Sequence, residues 1–300
     1  MATPAPVLIV DTYSLFFRAY HALPPMNTAS GEPTSALYGF SSVLLKELRE
    51  QRPAALAFAV DAPKRTFRHE RYEAYKGTRD AVPSPLVAQF GRLSELLAAF
   101  GVPVFCCPGF EADDVLATLA HRLRERGTPV LVLTGDRDLL QLAHGGVEVM
   151  FVGARGQKPV RYDAAKVEER FEVTPRELPA WIALVGDNSD NLPGVPGVGP
   201  RTAAKWIRQH GSIEALLAHS HELQPARLVP ELSARREQLL LNAELTPLRI
   251  DAPIGAGALA APVSLAALAQ LRALFTQLEF KSLLGRLDVL ESAATTAAAD

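Results

Sequence analysis

The sequence predicts an α/β fold, a mostly parallel central sheet flanked by helices, on three observations. Short apolar, β-branched runs recur through the first half of the chain, helical patterns lie between them, and the runs end in aspartate. Val7-Leu-Ile-Val10 leads into Asp11, Ala57-Phe-Ala-Val60 into Asp61, and Pro129-Val-Leu-Val-Leu133 into Thr134-Gly-Asp136-Arg-Asp138. Runs of this kind read as buried strands. Strands that alternate with helices form parallel sheets, whose ligands gather beyond the carboxyl ends of the strands. Asp11, Asp61, Asp136 and Asp138 all fall at that end.

In chain order, helical patterns cover roughly 36–50, 86–100 and 112–126, and Val147-Glu-Val-Met-Phe151 adds a strand. The third helix opens on Gly109-Phe-Glu-Ala-Asp-Asp-Val-Leu-Ala-Thr-Leu-Ala120, which crowds Glu111, Asp113 and Asp114 ahead of the apolar positions Val115, Leu116, Leu119 and Leu123. A single acid there is explained by capping, because the helix dipole favours it. Three acids raise one another's pKa unless positive charge lies among them. Past residue 160 the strand pattern fades. Thr174-Pro-Arg-Glu177 is a capping box with Pro at the first helical position, so a helix should run to about Val185. It stops at Gly186-Asp187-Asn-Ser-Asp190-Asn-Leu-Pro, an Asx-rich turn or a further pair of ligands.

Next comes Gly194-Val-Pro-Gly-Val-Gly-Pro-Arg-Thr-Ala-Ala-Lys-Trp-Ile207. A Gly-rich turn feeding a helix offers free backbone amides to an anion, reinforced by Arg201 and Lys205. The pattern matches the hairpin of helix-hairpin-helix motifs that bind the DNA backbone, with Gly194, Val195, Gly197, Val198, Gly199 and Thr202 in the turn. The competing nucleotide phosphate loop lacks its lysine and its strand context here. Ser212 caps a second helix over Ile213–Leu217. Residues 218–290 are helical patterns with Pro breaks, in which Phe275, Leu278, Phe280, Leu283 and Leu284 read as packing, and the Ala/Thr-rich stretch over 291–300 reads as a disordered tail.

Composition narrows the class. A chain of 300 residues with 48% hydrophobic and 21% charged residues suits a folded, water-soluble protein. No run reaches the length of a membrane span and no targeting pattern opens the chain, so a cytoplasmic protein is expected. Cys106 and Cys107 are adjacent and read as reduced thiols. The net charge of −2 does not advertise nucleic-acid binding, so that reading must rest on local charge.

Local charge supplies it between Asp61 and Pro83. Over residues 62–79, Lys64, Arg65, Arg68, Arg71, Lys76 and Arg79 against Glu70 and Glu73 give a formal +4, interleaved with Phe67, Tyr72 and Tyr75. The plain reading is a solvated basic loop; a phosphate backbone with unstacked bases is the alternative. Arg18 adds a cation beyond the first strand. Carboxylates gathered on parallel strand ends cannot pack as anions without a cation, and hard oxygen donors without His or Cys point to Mg²⁺ or Mn²⁺.

Asp11 after the first strand, Phe58-Ala-Val-Asp61, Tyr75-Lys76-Gly within Arg71–Arg79, Gly109–Asp114, Thr134–Asp138 and Leu184–Pro200 together resemble the 5′-nuclease (flap endonuclease) family. Within it they are similar to the 5′→3′ exonuclease domains found at the N-terminus of bacterial DNA polymerases. The resemblance runs through about residue 290. It implies a PIN-like catalytic core over 1–172 with a helical arch at about 62–85. It also implies a helical DNA-binding region over 173–290, with a helix-hairpin-helix (helix-three-turn-helix) element at about 190–217. One metal would be held around Asp11, Asp61, Glu111, Asp113 and Asp114, the other near Asp136, Asp138, Asp187 and Asp190, partly through water. Lys76, Arg79 and Arg18 would act at the scissile phosphate. Arg65, Arg71 and Tyr75 would hold DNA, with Tyr75 available for stacking, and the hairpin would carry a K⁺.

The implied activity is two-metal phosphodiester hydrolysis with two Mg²⁺ (or Mn²⁺), acting as a 5′→3′ exonuclease and structure-specific 5′-flap endonuclease in replication and repair. DNA with 5′ flaps, nicks or single-strand/duplex junctions is the expected substrate, RNA in RNA/DNA hybrids a further one, and a monomer the expected state. A non-catalytic DNA-structure-binding protein and a PIN-type ribonuclease are the alternatives. An Asp-nucleophile phosphatase would want a second Asp where Tyr13 stands.

Overall fold

β1 (Val7–Asp11) is buried along its whole length, and the sheet is assembled outward from it. A computed structural model describes residues 4–63, 65–154 and 156–299, with side chains described as far as Ser292; Lys64 of the basic segment lies outside the described residues. β2 (Ala55–Ala59), β3 (Val104–Phe105), β4 (Val130–Thr134), β5 (Val147–Phe151) and β6 (Val160–Tyr162) complete a six-stranded sheet of order β3-β2-β1-β4-β5-β6. It is parallel through β5, and β6 runs antiparallel at the edge. In register, Val10 lies beside Phe58 and Leu133, so the carboxyl ends of β1, β2 and β4 are level.

Alternate residues of these strands enter two separate cores. Val7 and Ile9, with Ala57, Ala59, Val130 and Val132, face one. Leu8 and Val10, with Leu56, Phe58, Leu131 and Leu133, face the other. Both faces are covered by helices, as an all-apolar parallel strand requires. The helices are α1 (Thr12–Ala22), α2 (Ser35–Gln51), α3 (Phe67–Arg71), α4 (Ser84–Val87), α5 (Phe90–Ala99), α6 (Ala112–Glu125), α7 (Ala164–Phe171), α8 (Leu178–Val185), α9 (Pro200–His210), α10 (Ile213–Ala218), α11 (Val229–Ala234), α12 (Arg236–Leu245), α13 (Leu265–Gln277) and α14 (Lys281–Ala299). Helices α6 to α12 share the Val7/Ile9 core. Helices α1, α2, α4 and α5 share the Leu8/Val10 core, and α13 and α14 return to it through Leu268, Leu271, Phe275, Leu283 and Leu287.

The departures from expectation have local causes. The helix expected over 86–100 is broken between α4 and α5, where buried Gln89 turns inward. Its carboxamide oxygen accepts the Ala36 and Leu37 N–H groups at 2.9 and 3.2 Å, capping α2 in place of Thr34, whose side chain makes no cap bond. The capping box expected at 174–177 forms only in part, ahead of α8: Glu177 accepts the Thr174 N–H at 2.9 Å and its hydroxyl at 2.8 Å, while the Glu177 N–H goes to the Thr174 carbonyl. β3 and β6 span two and three residues and are too short for periodicity to mark. Instead of starting a disordered tail, Glu291 and Ser292 continue α14, with Glu291 paired to Arg272 at 2.8 Å; beyond them the expected tail falls where no side chains are described. Of the arch expected at about 62–85, α3 and the start of α4 are helical, and residues 73–78 between them are turns.

Candidate metal centre

Asp11 closes β1 and caps α1. Its Oδ1 accepts the Ser14 N–H at 3.3 Å and its Oδ2 the Thr134 hydroxyl at 2.6 Å. Thr134, the last residue of β4, also accepts the Asp136 N–H at 2.8 Å, so one buried hydroxyl aligns two carboxylates from neighbouring strands. Asp61, beyond β2, accepts the Ala112 N–H at 2.8 Å, joining that strand end to the first turn of α6. Asp136 accepts the Asp138 N–H at 3.0 Å and starts the 3-10 turn Asp138–Leu142. From the far side, Asp187 folds back on its own loop, taking the Ser189 N–H at 2.7 Å.

Asp11, Asp61, Glu111, Asp113, Asp136 and Asp187 thereby line one open cavity of about 720 Å³, together with Arg18, Lys76 and Arg79. Burial pushes the Asp11 carboxyl up to about 7, and the neighbouring charges of Asp136 and Asp61 add to the rise. Asp113 is raised well above the carboxylate range by burial and then by Asp11 and Asp136. Asp138 is raised likewise by burial and by Asp136, Asp190 and Asp187. These shifts mark carboxylates whose burial first, and whose crowding second, disfavours the charged form. Hard oxygen donors with unmet negative charge fit a hard divalent cation. Among the described residues, no three of them already enclose a point as ligands of one ion would.

The basic segment lies against this cavity. Lys76 pairs with Glu111 at 2.7 Å, and Arg79 donates to Asp190 at 2.9 Å. Burial opposes the charge on Lys76, but Glu111 and Asp190 outweigh it and hold the ammonium ionised. Three expectations are corrected here. Tyr75 does not face solvent for stacking: it is buried, and its hydroxyl donates to Asp190 at 2.6 Å with Glu111 at 3.2 Å. Asp114 does not face the cavity: it is fully buried and both its oxygens are taken by Arg68, at 2.6 and 2.9 Å. Arg68 itself, counted in the sequence as part of a DNA-facing charge run, is 2% exposed. Arg65 remains exposed, and exposed Arg71 pairs with Glu244 at 2.8 Å. Arg18 is half-buried, donates to the Gly135 carbonyl and lies 5.6 Å over the Phe151 ring.

The Gly-rich hairpin is tied to the same loop. The pair β7 (Gly186–Asp187) and β8 (Leu192–Pro193) closes it, and the Val195 N–H reaches the Leu184 carbonyl at 2.9 Å. Gly194 passes so close that a Cβ there would sit 2.2 Å from the Val185 oxygen. Val195 and Val198 are buried, so those two positions can offer a ligand only backbone. Gly199 precedes α9, and Arg201 and Lys205 stand exposed on its first turns, with Thr202 half-buried. Sequence reasoning missed Thr134, Arg68 and the cavity-lining Tyr13, Phe17 and His21 of α1. Thr134 had a signal, its place between a strand and Gly-Asp; Arg68 had none.

Known proteins resemble this chain in sequence and in fold. Residues 6–172 match the model of the 5′-3′ exonuclease N-terminal resolvase-like domain, and residues 173–265 that of the 5′-3′ exonuclease C-terminal SAM fold. The chain is 39% identical over 290 residues to the DNA polymerase I of Mycobacterium tuberculosis, covering 96% of this chain and 32% of that protein. It therefore spans about a third of the length of such relatives. Among solved structures, the 5′-exonuclease of bacteriophage T5 with divalent zinc superposes with a TM-score of 0.67 at 22% identity, over 95% of this chain and 98% of the other. The T5 flap endonuclease pseudo-enzyme–product complex with DNA and metal ions gives 0.64 at 20%, over 95% and 99%.

Proposed function

The chain belongs to the 5′-3′ exonuclease family, and from that premise we propose that it hydrolyses DNA phosphodiester bonds at 5′ ends and 5′-flap junctions. One observation carries the reading: carboxylates from the level ends of β1, β2 and β4 and from the start of α6 line a single cavity walled by Lys76, Arg79 and Arg18. Asp11, Asp61, Glu111 and Asp113 would hold one divalent ion, and Asp136, Asp138, Asp187 and Asp190 the other. Ions so held supply an activated water and neutralise charge on the phosphate. The chain's own part is positioning. Thr134 fixes the spacing of Asp11 and Asp136, and Lys76 and Arg79, released from Glu111 and Asp190 as a phosphate enters, balance the developing negative charge. The hairpin over 194–199, with Arg201 and Lys205, grips the duplex backbone.

Mg²⁺ as the working ion, a K⁺ at the hairpin, RNA/DNA hybrids as further substrates, a monomeric state and a cytoplasmic location belong to the same reading. So does the division into a catalytic part at 1–172 and a DNA-binding part centred on 190–217. The experiment is product mapping on a labelled 5′-flap duplex with Mg²⁺, with and without chelator. Wild type should cut at the junction, and Asp136→Ala should lose at least about three orders of magnitude in rate while still shifting the duplex, because transition-state charge stabilisation contributes on that scale. An Asp136→Ala chain that cuts normally would overturn the assignment.

A further inference from the structure

Arg68 is the least expected residue of the molecule, a fully buried guanidinium in a segment that reads as solvated. Its donors are directed at two places. Nη1 and Nη2 grip Asp114 end-on at 2.6 and 2.9 Å, with Nη1 also 3.3 Å from the Glu111 carboxylate. Nε donates to the Leu245 carbonyl at 2.9 Å and Nη2 to that of Pro247 at 3.3 Å, where α12 ends. Asp114 completes the node. Besides Arg68, it accepts the Glu111 N–H at 3.1 Å and the Arg249 N–H at 2.9 Å. The base of the basic segment, the first turn of α6 and the end of α12 therefore meet at one ion pair.

We infer that Arg68, acting through Asp114, is a positioning residue for the metal centre. The pair fixes the first turn of α6 so that Glu111 and Asp113 present their carboxylates to the cavity. The physical argument is one of stiffness. A bidentate Arg–carboxylate pair has a single planar geometry, which a lysine cannot reproduce. Asp114 holds the backbone N–H of Glu111, so a rotation of the pair moves a proposed ligand directly. Glu111 is also held by Lys76 at 2.7 Å and Tyr75 at 3.2 Å, so the pair sets the backbone from which that carboxylate reaches the cavity. The inference rests on the metal-centre reading above, and it adds the reason that one of three adjacent acids is withheld from metal.

The test separates positioning from simple stabilisation. A buried pair replaced on both sides by apolar residues often keeps stability, whereas removing one partner leaves a buried charge. Four chains are compared: wild type, Arg68→Lys, Asp114→Asn and the double variant Arg68→Met/Asp114→Leu. Each is measured well below its own melting temperature. Mn²⁺ affinity is read by titration calorimetry without DNA, and kcat and KM on a flap duplex are read across a Mg²⁺ series. The double variant should melt below wild type, because the Glu111 and Arg249 N–H groups and the Leu245 and Pro247 carbonyls lose their partners; measured while folded, it should bind Mn²⁺ at least tenfold more weakly, with kcat lowered at subsaturating metal and KM for DNA within about twofold of wild type. Arg68→Lys should keep the charge but recover less than half of the lost affinity. A double variant with wild-type Mn²⁺ affinity and kcat would reduce the pair to a packing device and overturn the inference. Failure of the wild type to cut while it still binds Mn²⁺ would strike the nuclease reading alone, and the positioning role would then be decided on the Mn²⁺ affinities.

Discussion

Asp11 shows how a residue can be at odds with its own fold. Burial and its acidic neighbours take its carboxyl from 3.8 to about 7, so the folded chain binds this proton more tightly than the unfolded chain does. Stability from that difference is complete below about pH 4 and is lost as the pH rises through 7. Metal-free protein should therefore lose thermal stability between pH 5 and 8, and Asp11→Asn should lose less, the two chains converging near pH 4. Added Mg²⁺ should restore wild type at pH 8 and raise Asp11→Asn by less, through the carboxylates that remain. Equal pH slopes in scanning fluorimetry would show that Asp11 carries no such penalty. At this scale the sequence was half legible. The aspartates at strand ends could be found because strand ends are visible as breaks in apolar runs. Arg68, Tyr75 and Asp114 could not be placed, because a charge run reads the same whether its members meet water or a buried carboxylate. Only the tertiary partner, 46 residues away for Arg68, decides between them.

At the scale of elements, the hairpin between α8 and α9 depends on a contact rather than on a charge. Gly194 lies where a Cβ would meet the Val185 oxygen at 2.2 Å, whereas one on Gly199 would meet nothing within 4 Å. Gly194→Ala should then cost about 1–3 kcal/mol, the usual scale of overpacking, and should weaken binding of a nicked duplex several-fold. Gly199→Ala should leave the melting temperature within a degree or so. Comparable melting of the two variants would place the strain elsewhere. The long elements β1, β4, α2 and α6 were readable from periodicity and apolar content, since burial on a fixed face leaves a period in the sequence. The break between α4 and α5 was not, because it answers to Gln89 reaching across to α2, and a carboxamide used at a distance leaves no local pattern.

Across the whole molecule, the helices α13 and α14 are less an appendage than part of the scaffold beneath the carboxylate cavity. α13, α14 and the turn between them cover the Leu8/Val10 core with Leu268, Leu271, Phe275, Phe280, Leu283 and Leu287, all buried. Each such side chain contributes roughly 1.5–3 kcal/mol on burial, so the face cannot be left to water. Truncation after Ser264 should abolish cooperative unfolding and drive the chain into aggregates, as calorimetry and light scattering would show. A truncated chain melting within a few degrees of the full one would make the two helices dispensable. The sequence marked their residues as packing, but composition alone does not say against which layer a terminal helix docks.

The two-sided packing of β1 has a further consequence. Its residues alternate between one core and the other, and the strand closes on Asp11. A slip of one residue would not merely trade Val for Leu in each layer; it would swing the terminal carboxylate out of the crevice. The apolar layers thus act as a gauge for the chemistry, and any drift in the aim of Asp11 is first felt as misfit in the interior. Selection for a well-packed interior and selection for a well-aimed carboxylate are, along this strand, the same selection.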